Sequence, residues 1–324
     1  MQSNNKSLVS VIMPTYNHSA YIKEAISSVL SQTYSNLELI IIDNYSTDNT
    51  MEIVDSFFDR RIQYYKFRNH GVIASSRNFG FTKSHGEYIA FIDSDDVWES
   101  LKLEYQIPHM QSVSCVSTNF KPIGDIDGFI NYINSSLKDE YKDFDYDEVT
   151  QENPVASSSV LIRRDIFLQE KGFDENEEYK FIEDFELWLR LAYLGPIRVL
   201  NESLIQYRMY HKPNRDLREL RVRVLKIFDK HRRLGLLSDQ QVRKASGNYY
   251  ISIGRAFQNV GDFRGIVFYI KGLYYSYGIK NKLRAIAGLL LFFIPKVIRP
   301  LVVRKSYRIY RFFYRIYRFF YRIV

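Results

Sequence analysis

The stretch Glu87–Tyr88–Ile89–Ala90–Phe91–Ile92–Asp93–Ser94–Asp95–Asp96–Val97–Trp98 sets an apolar, strand-like run directly against three carboxylates within four positions. Carboxylates are rarely buried unless paired or bound to metal, and three together repel one another unless a cation sits among them. A hard divalent ion with oxygen ligands fits that pattern. Mg²⁺ and Mn²⁺ are typically held by one or two carboxylates plus substrate phosphates, so the stretch predicts a phosphorylated ligand rather than an all-protein cage.

Working outward, the chain alternates apolar strand-like runs with amphipathic helical ones, the pattern of a mostly parallel α/β sheet. Leu8–Met13 reads as the first strand, followed by a helix with Ile22, Ala25, Ile26, Val29 and Leu30 on one face. Leu37–Ile42, Ile62–Phe67 and Tyr88–Ile92 read as further strands, with Thr50–Phe58 and Val72–Ser84 as helices. Ligands of open α/β sheets bind outside the carboxyl ends of strands, and here those ends carry Pro14–Thr15–Tyr16–Asn17, Asp43–Asn44 and Asp93–Asp96. The acidic, Tyr-rich segment 123–153 breaks the rhythm and reads as an insertion beside the cleft. A strand is expected over Pro154–Ile162, then a helix after Phe181 with Phe185, Trp188 and Leu189 on a shared face. Trp188 is expected in the core, Asp48 as a helix cap, and His18, His70 and His85 as structural or solvent-facing residues. Beyond about Arg215 the strands stop, and Arg218–Leu234, Gln240–Val260 and Phe263–Tyr277 read as helices, the last two joined at Gly261–Asp262.

Taken in order, Val9–Asn17, Ile41–Asp48, Ser76–Arg77–Asn78, Asp93–Asp96 and Glu183–Asp184 resemble the family 2 glycosyltransferases of the GT-A fold. No single motif is specific, because an Asp-x-Asp triplet occurs in many surface loops; the ordered set over roughly 8–210 is. The resemblance implies that Pro14, Thr15 and Tyr16 surround the base and ribose of a nucleotide, and that Asp43 belongs to the base pocket. Asn44 stands where the family often has a second Asp; an amide donates as well as accepts, which admits a pyrimidine other than uracil. Asp93 and Asp95 map to the Asp-x-Asp element, Asp95 toward a Mn²⁺ or Mg²⁺ ion and Asp93 toward the ribose side, with Asp96 in support. Arg77 is implied near the site, where its fork could hold Asp43 or a phosphate. Glu183 and Asp184 occupy the place of the catalytic base of inverting members, with Asp184 as the base. Plainer readings are a solvated turn for Asp93–Asp96, an acidic first helical turn for Glu183–Asp184 and a surface ion pair for Arg77.

The chain has 324 residues, one cysteine (Cys115) and a formal charge of +8. A lone cysteine excludes a disulfide framework or a cysteine-rich zinc site, and suits a reducing compartment. The start, Met1–Lys6, is polar and short and reads without a secretory signal. Charge is unevenly distributed: residues 281–324 carry eleven Lys and Arg and no Asp or Glu, leaving 34 basic against 37 acidic residues before them. The last stretch, 307–324, repeats Tyr-Arg-Ile-Tyr-Arg-Phe-Phe. On a helix its arginines fall in an arc of about 80° against a broad aromatic face. Ala285–Ile294 is apolar but short of the about 20 residues that a bilayer span needs. A tail of this kind suits the interface of an anionic membrane; a coiled coil and nucleic-acid binding are the alternatives.

These features predict a GT-A domain over 1–215, a helical hairpin region over 216–280 and a basic amphipathic tail over 281–324. The expected activity is inverting transfer of a sugar from a nucleotide-diphosphate donor, first of all a UDP-sugar, to a hydroxyl of a glycan or lipid-linked glycan. The expected location is the cytoplasm, at the inner face of the membrane, without nucleic acid as a partner. A sugar nucleotidyltransferase, or a membrane-bound scaffold with a degenerate catalytic domain, are the competing functions. Walker, Rossmann, zincin and serine-hydrolase motifs are absent from the sequence.

Overall fold

All seven residues of β1 (Val9–Thr15) are buried, as befits a parallel strand covered on both faces. The computed structural model describes residues 7–124, 139–151, 153–209, 217–276 and 279–292. It divides into two units, residues 1–215 and 216–324. In the first, α1 (Ile22–Leu30) leads from β1 to β2 (Leu37–Asp43), which is again wholly buried. The helix buries Ile22, Ala25, Ile26 and Val29, the face read from its periodicity. Then come α2 (Thr50–Asp55), β3 (Ile62–Lys66), α3 (Ile73–Lys83) and β4 (Tyr88–Phe91). Gly80 sets how closely α3 lies on the sheet, since a Cβ there would fall 2.6 Å from Ile12 Cγ2.

The chain continues through β5 (Val97–Trp98), α4 (Lys102–Gln106), β6 (Cys115–Gly124), β7 (Tyr141–Phe144) and α5 (Tyr146–Gln151). A 3₁₀ turn at Ser157–Ser159 precedes β8 (Leu161–Arg163), α6 (Arg164–Gln169), α7 (Glu183–Leu194) and β9 (Ile197–Met209). Among the described residues, nine strands form one sheet in the order β3-β2-β1-β4-β8-β6-β9-β5, with β7 also paired to β9. Strands β1, β2, β3, β4, β6 and β9 run one way and β5, β7 and β8 against them. The sheet is therefore mixed, though mostly parallel.

Two expectations need correction. Only Leu161 and Ile162 of the predicted 154–162 strand join the sheet, as part of β8; before them the chain turns, because the Ser157–Ser159 hydroxyls bond to side chains and backbone outside any ladder. The supposed insertion is partly built into the sheet: β6 extends to Gly124, and β7 pairs with β9 from Tyr141. Positions 125–138 lie outside the described residues. Strand β9 was not foreseen. Trp188 is fully buried, as expected, edge-on to Phe173, while Val11, Leu39, Ile41 and Leu161 belong to one buried cluster.

The second unit comprises α8 (Leu217–Arg233), α9 (Asp239–Val260), α10 (Gly265–Tyr275) and α11 (Ile279–Phe292). Helix α9 opens on a capping box between Ser238 and Gln241 and ends at Gly261, whose φ of 78° lies in the left-handed region. Its neighbours interlock around Ile251, Tyr269, Ala285 and Phe292. Among the described residues no helix is long and apolar enough to cross a membrane. The repeats at 307–324 lie outside the described residues.

Candidate active site

Parallel register brings the ends of β1, β2 and β4 to one edge, with Thr15 opposite Asp43. The loops leaving that edge are sharply bent: Asn17 (φ 52°) and Tyr45 (φ 59°) are non-glycine residues in the left-handed region, where a bulky side chain is uncommon. Hydrogen bonds hold the two loops together. The Asn17 amide donates to Ser46 Oγ (2.9 Å), and the Thr47 amide to Asn17 Oδ1 (2.8 Å). The Ser19 amide donates to Asp48 Oδ2 (2.9 Å), and Asp48 Oδ1 accepts from the amide (3.1 Å) and the hydroxyl (2.6 Å) of Thr50, the first residue of α2. Burial alone would raise Asp48, but these donors carry it down to about 2.

Asp43 is fully buried and accepts from the Ser46 amide (2.9 Å), from Ser46 Oγ (2.6 Å) and from the Tyr64 hydroxyl. Asn44 Oδ1 accepts from the Asn69 amide at 3.0 Å and so shapes the neighbouring loop. Pro14 is sealed within β1, Thr15 is buried with its hydroxyl unpartnered, and Tyr16 is exposed. An orphaned hydroxyl beside Asp43 is a place for a ligand to satisfy. His18 joins this loop pair to the acidic loop, with Nδ1 2.7 Å from Ser94 Oγ.

Asp93, Asp95 and Asp96 each offer a carboxylate oxygen within 4.8 Å of the others. The loop is held open by neighbours rather than left to repel itself. Ser158 Oγ accepts from the Asp93 amide (3.0 Å) and donates to Asp96 Oδ2 (2.5 Å). From β9, the Arg208 amide donates to Asp96 Oδ1 (2.8 Å) and its guanidinium to the Asp95 carbonyl (2.7 Å). Burial, and then the charges of Asp93 and Asp95, push the Asp96 carboxyl well above the usual range. Three clustered carboxylates, one of them raised by burial and then by the other two, are a donor set that a hard divalent cation relieves, and Mn²⁺ or Mg²⁺ fits it. Among the described residues, Asp93, Asp95 and Asp96 are the carboxylates close enough together to share one such ion.

Arg77 is 2% exposed and lies on α3. Its Nη1 donates to Glu183 Oε1 (2.8 Å) and its Nη2 to Asp93 Oδ1 (2.9 Å). It does not hold Asp43, as one expectation had it, because Ser46 and Tyr64 already occupy that carboxylate. Burial works against the charge of Arg77, yet Asp93, Glu183 and Asp184 together raise it. Glu183 is raised by burial, with Arg77 opposing, and its Oε2 has no partner. Asp184 sits beside it at the start of α7, less buried, accepting from Ser157 Oγ at 2.7 Å. One 3₁₀ turn thus supplies Ser157 to Asp184 and Ser158 to the acidic loop. Beneath it, Trp98 Nε1 donates to the Ser158 carbonyl (2.8 Å) and Gln106 Nε2 to the Ser159 carbonyl (2.8 Å). The buried Lys102 donates to Gln106 Oε1 (2.7 Å) with its Nζ 3.9 Å from the Trp98 ring centre.

The family model for glycosyl transferase family 2 matches residues 10–169. The chain is 32% identical over 216 residues to the putative teichuronic acid biosynthesis glycosyltransferase TuaG of Bacillus subtilis, covering 64% of this chain and 81% of that protein. It belongs to the family 2 glycosyltransferases. It is also 32% identical over 209 residues to WfgD of Escherichia coli, a UDP-Glc:alpha-D-GlcNAc-diphosphoundecaprenol beta-1,3-glucosyltransferase, covering 62% of this chain and 77% of WfgD. Matches of 34% identity to uncharacterized glycosyltransferases of Rickettsia felis and Rickettsia bellii span only 33% and 29% of those longer proteins. Among solved structures, Staphylococcus aureus TarS 1-349 with UDP-GlcNAc superposes with a TM-score of 0.58 at 17% identity, covering 88% of this chain and 90% of TarS. Mannosyltransferase PcManGT of Pyrobaculum calidifontis with GDP-Man and Mn²⁺ gives 0.57 at 18%, covering 93% and 84%. The fold of this family 2 enzyme is GT-A.

Sequence reading named the acids and Arg77, of which the structure joins Asp93, Arg77 and Glu183 directly, but did not single out Ser157, Ser158 or Arg208; His18, read as structural or solvent-facing, bridges two loops. The serine run between two apolar stretches was a signal, misread as strand. Nothing local to Arg208 marks it, since its role comes from the register of β9 against β5.

Proposed function

We propose that this glycosyltransferase moves a sugar from a UDP-sugar to a hydroxyl of a glycan or lipid-linked glycan, with inversion at the anomeric carbon. The observation that carries the reading is one continuous set of contacts joining Asp93 through Arg77 to Glu183, with Asp184 tied to the same serine turn. Asp43 and Tyr16 flank the place for the base, and Thr15 the ribose. Asp93 and Asp95 would hold a divalent cation, which when bound would supply Lewis-acid stabilisation of the diphosphate leaving group. Asp184 takes the proton of the acceptor hydroxyl as its oxygen bonds to the anomeric carbon and the bond to the nucleoside diphosphate breaks. General base catalysis of this kind contributes about 10²–10⁴-fold. Glu183, neutralised against Arg77, positions Asp184 and is not itself the base.

UDP as the donor nucleotide is supported by WfgD and by the TarS complex, and a lipid-linked acceptor by WfgD. The basic tail supports a site of action at the inner membrane surface. The test is product analysis with Mn²⁺ across UDP-, GDP-, CDP- and dTDP-sugars. Release of UDP, with Asp95→Ala losing metal-dependent nucleotide binding and Asp184→Ala keeping it without turnover, is the expected result. Pyrophosphate release, or turnover surviving Asp184→Ala, overturns the assignment. Membrane action fails if the chain sediments equally with and without anionic liposomes and truncation after residue 280 costs no activity.

A further inference from the structure

Helices α10 and α11 are apolar on two opposite sides. Their inner sides are already occupied: a Cβ at Gly288 would fall 2.1 Å from the Tyr269 ring, and Gln258 ties α9 to both, accepting from the Tyr269 hydroxyl (3.1 Å) and donating to the Gly288 carbonyl (2.8 Å). The sides turned away carry Val267, Ile270 and Tyr274 on α10 and Leu283, Ile286 and Leu290 on α11, each 40% to 70% exposed. Each set falls within about 60° of arc, opposite the buried residues of its helix. Soluble proteins do not ordinarily leave two consecutive helices with stripes of this kind.

Charge decides what covers them. Lys271, Lys282 and Arg284 are exposed beside the stripes, and no Asp or Glu occurs anywhere after Asp262. A second copy of this face, or the cationic segment 293–324 of the same chain, would bring like charge against it. A surface that pairs cations with an apolar layer beneath is that of an anionic phospholipid bilayer. We propose that the outward faces of α10 and α11 dock on an anionic membrane, with the apolar stripes below the headgroups and the lysines and arginine among them. The proposal rests on the membrane reading given for the tail, and extends it to a folded surface.

The test uses the full chain with a polarity-sensitive fluorophore on Leu290→Cys or, separately, Ile270→Cys. The native Cys115 is fully buried and its thiol is pushed up by burial, so it does not compete for label. Tyr105→Cys, exposed in the first unit, is the control. Phosphatidylglycerol-containing vesicles should shift both helix labels to shorter wavelength, pure phosphatidylcholine vesicles should not, and the control should stay unchanged. Leu283→Glu/Leu290→Glu should weaken vesicle binding by roughly tenfold or more, since each leucine side chain contributes on transfer from water. If the chain pellets with vesicles while both labels remain aqueous and the double variant binds as well as the parent, the tail alone docks and the inference falls. If the labels shift without vesicles as protein concentration rises, a second copy covers the face and it falls again. If the chain does not pellet at all, the membrane reading itself is what has failed.

Discussion

The guanidinium of Arg77 and the carboxylate of Glu183, separated by 106 residues, meet at 2.8 Å with both side chains almost sealed from solvent. The pair fastens α3 to the first turn of α7, and the second arm of the same guanidinium reaches Asp93. One cation thereby fixes the spacing between the acidic loop and the residue proposed as base.

Removing that cation leaves Glu183 buried and uncompensated. Arg77→Met should cost about 3–5 kcal/mol in denaturant unfolding. Arg77→Lys should recover only part, because a point charge cannot reach both carboxylates in a fixed fork. Adding Glu183→Gln to Arg77→Met should restore stability toward the parent; no restoration would show that the pair is not what the arginine stabilises.

Ser158→Ala deprives Asp96 of a donor and the Asp93 amide of its acceptor. The expected cost is about 1–3 kcal/mol of stability. A raised Mn²⁺ requirement should accompany it, followed by titrating the metal against UDP release. An unchanged Mn²⁺ midpoint would show that the hydroxyl is merely structural.

Ser157 and Asp184 separate orientation from proton transfer. Asp184→Asn should lower kcat by about 10²–10⁴-fold with donor binding intact. Ser157→Ala should have a smaller effect in the same direction, with KM for the donor unchanged. A donor KM that rises in either variant would place these residues on the nucleotide instead.

Asp48 gives the loops an acid-side limit. Its folded value of about 2 lies below the ordinary 3.8, so its contribution is complete above the ordinary value and is lost as pH falls through about 2. Asp48→Asn should therefore lower neutral stability by about 1–2 kcal/mol and flatten the loss between pH 4 and pH 2, approximately, in urea melts across that range. A parallel displacement of the whole curve would assign the effect to packing.

The cation should be lost in the same direction, on acidification, but at higher pH. Because Asp96 is pushed upward by burial and its acidic neighbours, protons compete for the loop above the usual carboxylate range. Stabilisation by Mn²⁺ in thermal shift should shrink steadily on acidification from neutral pH, and a shift constant down to the ordinary carboxylate range would argue against these ligands.

Much of the first half was legible because its physics is local. Buried runs such as Val9–Thr15 and Leu37–Asp43 are mostly aliphatic, with Ser10 and Glu38 bonded to each other inside, and their ends fall where parallel sheets present polar residues. The second half was less so. Ser157–Ser159 looks like strand until the three hydroxyls are seen to find partners outside any ladder. Arg208 and His18 are ordinary residues in sequence, given their place by register and by loop strain. Asp43 and Asn44 were identified by position, but that Tyr64 and Ser46 hold the first and that Asn69 leans on the second depends on elements far apart in the chain.

Strand β9 touches β5, β6 and β7 and also presents Arg208 to the acidic loop. A one-residue slip there would point Arg208 to the opposite side of the sheet, so insertions and deletions in β9 should be tolerated far worse than point changes. Laboratory libraries that vary acceptor preference would do well to leave the length of that strand alone.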